Sequence, residues 1–151
     1  MNGTLAERLH GKRRIHIDSM AVIYFIEQNA TYLPIVRPLF ELLDSRKIVG
    51  ISSYITLLEV MVQPLKQGRF DLAKKYRQLM VGSGCMELLP VDQGVAEEGA
   101  AIRAKYNFRT PDAIQLATSV QCKADAFITN DSKLRQFDQL DVLVLEDCLA
   151  T

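Results

Sequence analysis

The sequence has no tryptophan, only two histidines, His10 and His16, and three cysteines, Cys85, Cys122 and Cys148, none in a CxxC pair. An odd cysteine count without that spacing argues against a disulfide framework, and so small a stock of histidine and thiol argues against a zinc site. A surplus of charge is also missing, since 18 Lys and Arg balance 18 Asp and Glu. The whole molecule therefore exerts no net pull on a polyanion; if nucleic acid binds, a local patch must hold it. No apolar run approaches the about 20 residues that span a bilayer. Residues 1–14 carry charge, but no apolar stretch follows them before Asp18, so a secretory leader is not expected and the protein is assigned to the cytoplasm. There is no GxSxG elbow, no phosphate-binding loop pattern, no internal repeat and no linker that would split the chain.

What is there suffices for one domain. A chain of 151 residues buries about 68–70% of its unfolded surface on folding and needs no staples. Short β-branched runs at 15–18, 48–51, 86–91, 126–129 and 142–145 read as strands. The segments between them carry helical periodicity at 20–28, 34–46, 54–62 and 70–81; in the second, Val36, Leu39, Phe40 and Leu43 share a face. Asp92 offers an N-cap for a helix through Lys105, and Thr110-Pro111 offers an N-cap followed by proline at the first position of a helix to Cys122. Alternation of this kind predicts a three-layer α/β/α sandwich around a mainly parallel sheet.

Four acids stand out against this frame. Asp18 ends the run Ile15-His16-Ile17, at the carboxyl end of a strand, where open α/β sheets bind ligands; it reads equally well as the N-cap of the next helix. Glu59 lies in a helical stretch, Ile55 to Val62, with apolar residues on nearly every face, the pattern of a buried helix. A carboxylate there must be protonated, paired with a cation or bound to a metal, because burying it alone costs several kcal/mol. Asp112 falls in the first turn of its helix, where the macrodipole favours an acid for purely structural reasons. The small apolar residues after it would hold that helix against the sheet. Asp131 ends Phe127-Ile128-Thr129-Asn130-Asp131, at another strand end, with a hydroxyl and an amide beside it. If topology brings the four onto one rim, their mutual repulsion calls for a divalent cation that prefers oxygen, magnesium or manganese.

Asp18-Ser19 after a strand, Leu58-Glu59-Val60 in a helix, Thr110-Pro111-Asp112-Ala113 opening a helix and Thr129-Asn130-Asp131 after a strand resemble the four signatures of the PIN-domain family, in order, over residues 15 to about 145. The resemblance implies a PIN fold, often dimeric, with metal-dependent endoribonuclease activity. The members most similar in length are VapC-type toxins, each paired with an antitoxin protein, which cut structured RNA. By that resemblance Asp18, Glu59, Asp112 and Asp131 match the catalytic metal-binding acids, and Ser19 and Thr129 match the hydroxyls that support them. Residues 1–14 lie outside the match and carry Lys12, Arg13 and Arg14; an additional RNA contact and a disordered arm are both open for them.

A divalent ion among such acids activates water and neutralises charge on a phosphodiester, so no histidine or serine nucleophile is required. Lys105, Arg109, Lys133 and Arg135 flank two of the acids and are candidates for substrate phosphates, against the alternative of solvated surface. A dimer would place helices 34–46 and 54–62 at its contact face. Three rivals compete with this reading. A phosphatase of the haloacid-dehalogenase type needs Asp-x-Asp after its first strand, where this chain has Met20 at the third position. A receiver-like signalling domain does not place acids as Glu59 and Asp112 are placed. A non-catalytic interaction protein that kept the fold would be expected to have lost an acid, and all four are present. An RNA-processing nuclease without an antitoxin stays open beside the toxin.

Overall fold

A computed structural model describes residues 3–149. Its centre is a sheet of five parallel strands, β1 (Arg14–Ile17), β2 (Val49–Ser53), β3 (Met86–Leu89), β4 (Ala126–Thr129) and β5 (Asp141–Val144), in the order β3-β2-β1-β4-β5. The inner strands are buried on both faces, as strands covered by crossover helices must be. Ile15, Ile17 and Ile128 point into one core, with α1 (Leu5–Arg8), α2 (Ser19–Ile26), α3 (Leu33–Asp44), α4 (Tyr54–Lys66) and α5 (Phe70–Arg77) on that side. Phe127 and Val142 point into the other, against α6 (Gln93–Tyr106) and α7 (Thr110–Gln121). The predicted α/β/α sandwich is therefore the observed one. Among the described residues no helix is long and apolar enough to cross a membrane.

The strand order creates the crevice. After β1 the chain turns into α2 on one face, whereas after β4 it enters a 3-10 turn, Ser132–Gln136, whose Leu134 packs into the core of the opposite face. Connections leaving adjacent strands in opposite directions open a gap at their carboxyl ends, where α/β proteins bind ligands. Asp18 and Asp131 stand at the two sides of that gap.

Several elements depart from expectation. In residues 3–14, Thr4 and Glu7 close a capping box on α1, and Leu5 and Leu9, each 3% exposed, are buried in the first core. Met1 and Asn2, the start of that segment, lie outside the described residues, as do Ala150 and Thr151. The helix opened by Pro111 starts one residue early, with Arg109 as N-cap, because Thr110 Oγ1 accepts from Arg103 Nη1 at 3.1 Å instead of capping. Asp92 does cap α6, accepting from Val95 N at 2.9 Å. The fourth helix is not buried all round. Thr56, Val60 and Pro64 face inward, while Tyr54, Leu58, Val62 and Leu65 are exposed, Leu58 at 58%. An all-apolar pattern cannot separate a buried helix from one with an unpartnered apolar face.

His16 is buried between the sheet and α7, stacked on Phe127 with ring centroids 4.6 Å apart, and burial lowers its pKa to about 3. Neither ring nitrogen has a hydrogen-bond partner, so this residue is a neutral core side chain. Half of the histidine stock is thereby removed from any surface chemistry.

Candidate active site

Each of the four acids reaches the crevice from a different element. Asp18 follows β1, whose last residue is locked between strands: Ser52 Oγ donates to Ile17 O at 2.7 Å, and Ile17 is in register with Ile128. Asp18 N donates in turn to Ile128 O at 3.0 Å. Glu59 comes from α4, which starts immediately after β2 because Ser53 Oγ accepts from Ile55 N at 3.1 Å. Asp112 sits in the first turn of α7. The bend before that turn is set by Asn107, left-handed at φ 60°, which ends α6, and by Arg103 Nε donating to Phe108 O at 2.8 Å. Asp131 follows β4 and caps the 3-10 turn by accepting from Lys133 N at 3.0 Å.

Together they line one open pocket of about 480 Å³, with Ser19, Met20, Tyr24, Arg109, Asn130 and Ser132. Asp18 is its floor, 6% exposed. One of its oxygens accepts from Ser19 N at 2.6 Å and Ser19 Oγ at 3.2 Å, the other from Thr129 Oγ1 at 2.7 Å. The cap reading of Asp18 is therefore realised through one oxygen, while the other is held by Thr129 at the pocket. Thr129 Oγ1 also accepts from Asp131 N at 3.1 Å, so a single buried hydroxyl ties two of the acids together. Asn130 braces the far wall, donating to Tyr24 OH at 2.9 Å and accepting from Glu146 N at 2.9 Å.

The electrostatics follow from this crowding. Burial pushes the Glu59 pKa up to about 7, and the carboxylates of Asp18 and Asp112 add to the shift, with Arg109 opposing. Burial also raises Asp18, against hydrogen bonds from Thr129 and Ser19 that lower it. Asp112 is raised by burial and by the charges of Asp18 and Asp131, again opposed by Arg109. Acids that resist ionisation chiefly through burial, and for Glu59 and Asp112 also through neighbouring carboxylates, form a site short of positive charge.

The sequence-predicted cations divide sharply. Arg109 lines the pocket and its Nε stands 3.3 Å from Asp112 Oδ2; its side chain is 77% exposed and free to swing. Lys133 contributes its backbone N–H to Asp131 and is exposed. Arg135 is engaged by Glu146 and Asp147, and Lys105 rests 5.2 Å from the Tyr106 ring centroid, so neither of these contributes to the pocket wall. Lys12 pairs with Asp141 at 3.1 Å, and the backbone N–H groups of Arg13 and Arg14 both donate to Asp125 at 2.8 Å. This basic trio thus lies at the amino-terminal edge of the sheet, opposite the acids.

Residues not singled out from the sequence also belong here. Met20 and Tyr24 reach the wall from α2, and Ser132 follows Asp131. Gln115, one turn beyond Asp112 on α7, donates from Nε2 to Glu59 Oε1 at 2.7 Å. Along the chain, a glutamine on the small apolar face Ala113–Thr118 gives no signal of that contact.

The donor set suits a hard cation: carboxylate oxygens with hydroxyls nearby, and neither nitrogen nor sulfur from a histidine or cysteine. The side chains are splayed, each turned to a protein partner, and among the described residues no three acids, histidines or cysteines enclose an ion-sized space.

Comparison with known proteins places this fold. The model of the PIN domain family matches residues 15–140. No curated protein matches the sequence. Among solved structures, VapBC2 from Rickettsia felis bound to a promoter DNA fragment superposes with a TM-score of 0.69 at 13% identity, covering 87% of this chain and 98% of that one. A toxin-antitoxin complex from Klebsiella pneumoniae gives 0.67 at 20%, over 87% and 97%. VapC20 of Mycobacterium tuberculosis, described as a toxin that cleaves the sarcin-ricin loop, gives 0.65 at 13%, over 84% and 98%. At these identities the likeness is one of fold, while the family match spans most of the sequence. The chain belongs to the PIN domain family.

Proposed function

We propose that this protein is a magnesium- or manganese-dependent endoribonuclease and the toxin of a toxin–antitoxin pair, acting in the cytoplasm. The observation that carries the proposal is the convergence of Asp18, Glu59, Asp112 and Asp131, from four separate elements, on one open pocket. Asp18 and Asp131, tied through Thr129, form the rigid side; Glu59 and Asp112 form the other. These acids would hold the cation, with Ser19 and Thr129 keeping the Asp18 oxygens oriented and Asn130 bracing the wall. A bound divalent ion supplies a water of lowered pKa and charge for the phosphodiester oxygens. Arg109 is the residue placed to meet a substrate phosphate, exchanging its pairing with Asp112 for the incoming charge; Lys133, exposed on the turn after Asp131, is a weaker candidate. Purified protein incubated with structured RNA is expected to cut it with added magnesium or manganese and to stop on addition of EDTA. Undiminished cleavage in EDTA sinks the metal-dependent reading.

The partner expected is an antitoxin, with a homodimer of the chain itself. The exposed stripe of Tyr54, Leu58, Val62 and Leu65 on α4 supports both, because a contiguous apolar helix face at the surface marks a contact region. Light scattering after size exclusion is expected to show a dimer at micromolar concentration, shifted to monomer by Leu58→Glu. A wild-type monomer throughout that range removes the homodimer from the proposal.

A further inference from the structure

Gln115 is a buried polar residue for which packing gives no reason. It is 1% exposed, lies on the α7 face toward the sheet and keeps an amide where its neighbours Ala113, Leu116 and Ala117 are apolar. Its Oε1 has no hydrogen-bond partner, which is unfavourable in an interior. An apolar side chain of the same length would avoid that cost. The compensating interaction is on the other end of the amide, where Nε2 donates to Glu59 Oε1 at 2.7 Å. That bond ties Glu59 of α4 to α7, the helix that carries Asp112 in its first turn.

We infer that Gln115 is a positioning residue, a neutral clamp that holds Glu59 of α4 against α7, beside Asp112, so that the remaining oxygens of these acids face a common cation. The inference rests on the metal-dependent reading above and deepens it. Neutrality is the point of the residue type. An arginine or lysine at this position would hold Glu59 equally well but would cancel the charge that attracts a divalent ion. The amide supplies a directed donor and leaves that charge in place. Arg109, the N-cap of the same helix, differs on this count: its side chain is 77% exposed and can leave Asp112 for solvent or a substrate. Gln115 cannot move away in the same manner, because α7 is packed against both β2 and α4. Groups that orient metal-binding side chains in this manner typically change metal affinity by about 10–100-fold when removed.

The test is Gln115→Met, which keeps the length and burial and removes the donor to Glu59, measured by calorimetric titration with Mn²⁺ beside the wild type. The expected result is a folded variant that binds Mn²⁺ about 10–100-fold more weakly, with RNA cleavage recovering toward the wild-type rate as Mn²⁺ is raised. Unchanged Mn²⁺ affinity in a folded variant overturns the clamp and leaves the metal site standing. Failure of the wild type to bind Mn²⁺ overturns the metal reading and the clamp with it, a distinct result. Should Gln115→Met not fold, the wild type decides the matter through the side-chain amide resonances of Gln115. These are expected to be slow to exchange with solvent in EDTA and to shift on Mg²⁺ addition along the same saturation curve as the site; fast exchange with no shift overturns the clamp.

Discussion

Asp18→Asn is expected to lower the rate of RNA cleavage by about two to four orders of magnitude while the protein stays folded. Several kcal/mol of transition-state charge stabilisation comes from a correctly held metal ion, and about 1.4 kcal/mol corresponds to each tenfold in rate. Asp18 is the acid whose loss should remove most of it. It is the most buried of the four, its two oxygens are fixed by Ser19 and Thr129, and it adjoins both Gln115 and Glu59. The amide introduced by the substitution keeps the shape of the carboxylate, and its oxygen can still accept from Ser19 N, so the cap on α2 survives. Asp141→Asn serves as the comparison. That acid pairs with Lys12 at the amino-terminal edge of the sheet, and its loss should leave the rate unchanged. Single-turnover cleavage of one RNA by the three proteins, with circular dichroism to verify folding, separates the outcomes. Comparable rates for Asp18→Asn and wild type would remove Asp18 from the chemistry.

The second large effect is on stability and has the opposite sign. Without a cation the clustered carboxylates repel one another, so Glu59→Gln is expected to melt higher than wild type in EDTA above pH 7. The new amide can still accept from Gln115 Nε2 through its oxygen, so the change removes charge and keeps the contact. The pH window follows from the direction of the shift. Glu59 titrates near 7 in the folded protein against an ordinary 4.5, so the folded state holds its proton more tightly than the unfolded chain does. The penalty of ionising it is absent below about pH 4.5, grows as pH rises through the interval and is complete above about 7. Discounted for partial solvent screening, it amounts to about 1–2 kcal/mol, or about 2–8 °C in a chain of this size. His16 acts in the other direction: its lowered pKa means that stability is lost as pH falls below 6.5, equally in both proteins, so it cancels in the comparison. Magnesium at a hundred times its dissociation constant should raise the wild-type melting point by the equivalent of about 2.7 kcal/mol and raise that of Glu59→Gln by less. Asp18→Asn should gain less than Glu59→Gln in EDTA, because it also loses the hydrogen bond from Thr129. If Glu59→Gln melts below wild type in EDTA at pH 8 and magnesium moves neither curve, the acids do not share a cation.

The parts of this protein legible in its sequence are those governed by local chemistry. Period-two and period-3.6 apolar patterns located all five strands and the main helices, with ends displaced by a few residues where cooperative pairing decides the boundary: β3 stops at Leu89 and β5 begins at Asp141. Asp92 was visible as a cap because capping needs only its own side chain and the next turn. The four acids were visible because each sits at a strand end or on a helix where a carboxylate asks for an explanation.

What the sequence could not decide was everything that depends on a second segment. Thr110 was read as a cap, but Arg103, seven residues earlier, takes its hydroxyl. Glu59 was read as lying on a helix buried all round, yet only packing reveals which face of α4 meets the sheet and that Leu58 beside it remains at the surface. Lys105 and Arg135 were near the acids in number and are elsewhere in space, held by Tyr106 and by Glu146 and Asp147. Gln115 drew no notice because a glutamine on a small-residue helix face carries no signal until Glu59, 56 positions away, is found at the end of its amide. By itself the sequence determined the elements and the stock of charge, because those follow from neighbours along the chain. Tertiary structure alone decided which charges meet, because burial, repulsion and the partners that relieve them arise only when distant segments share one low-dielectric space.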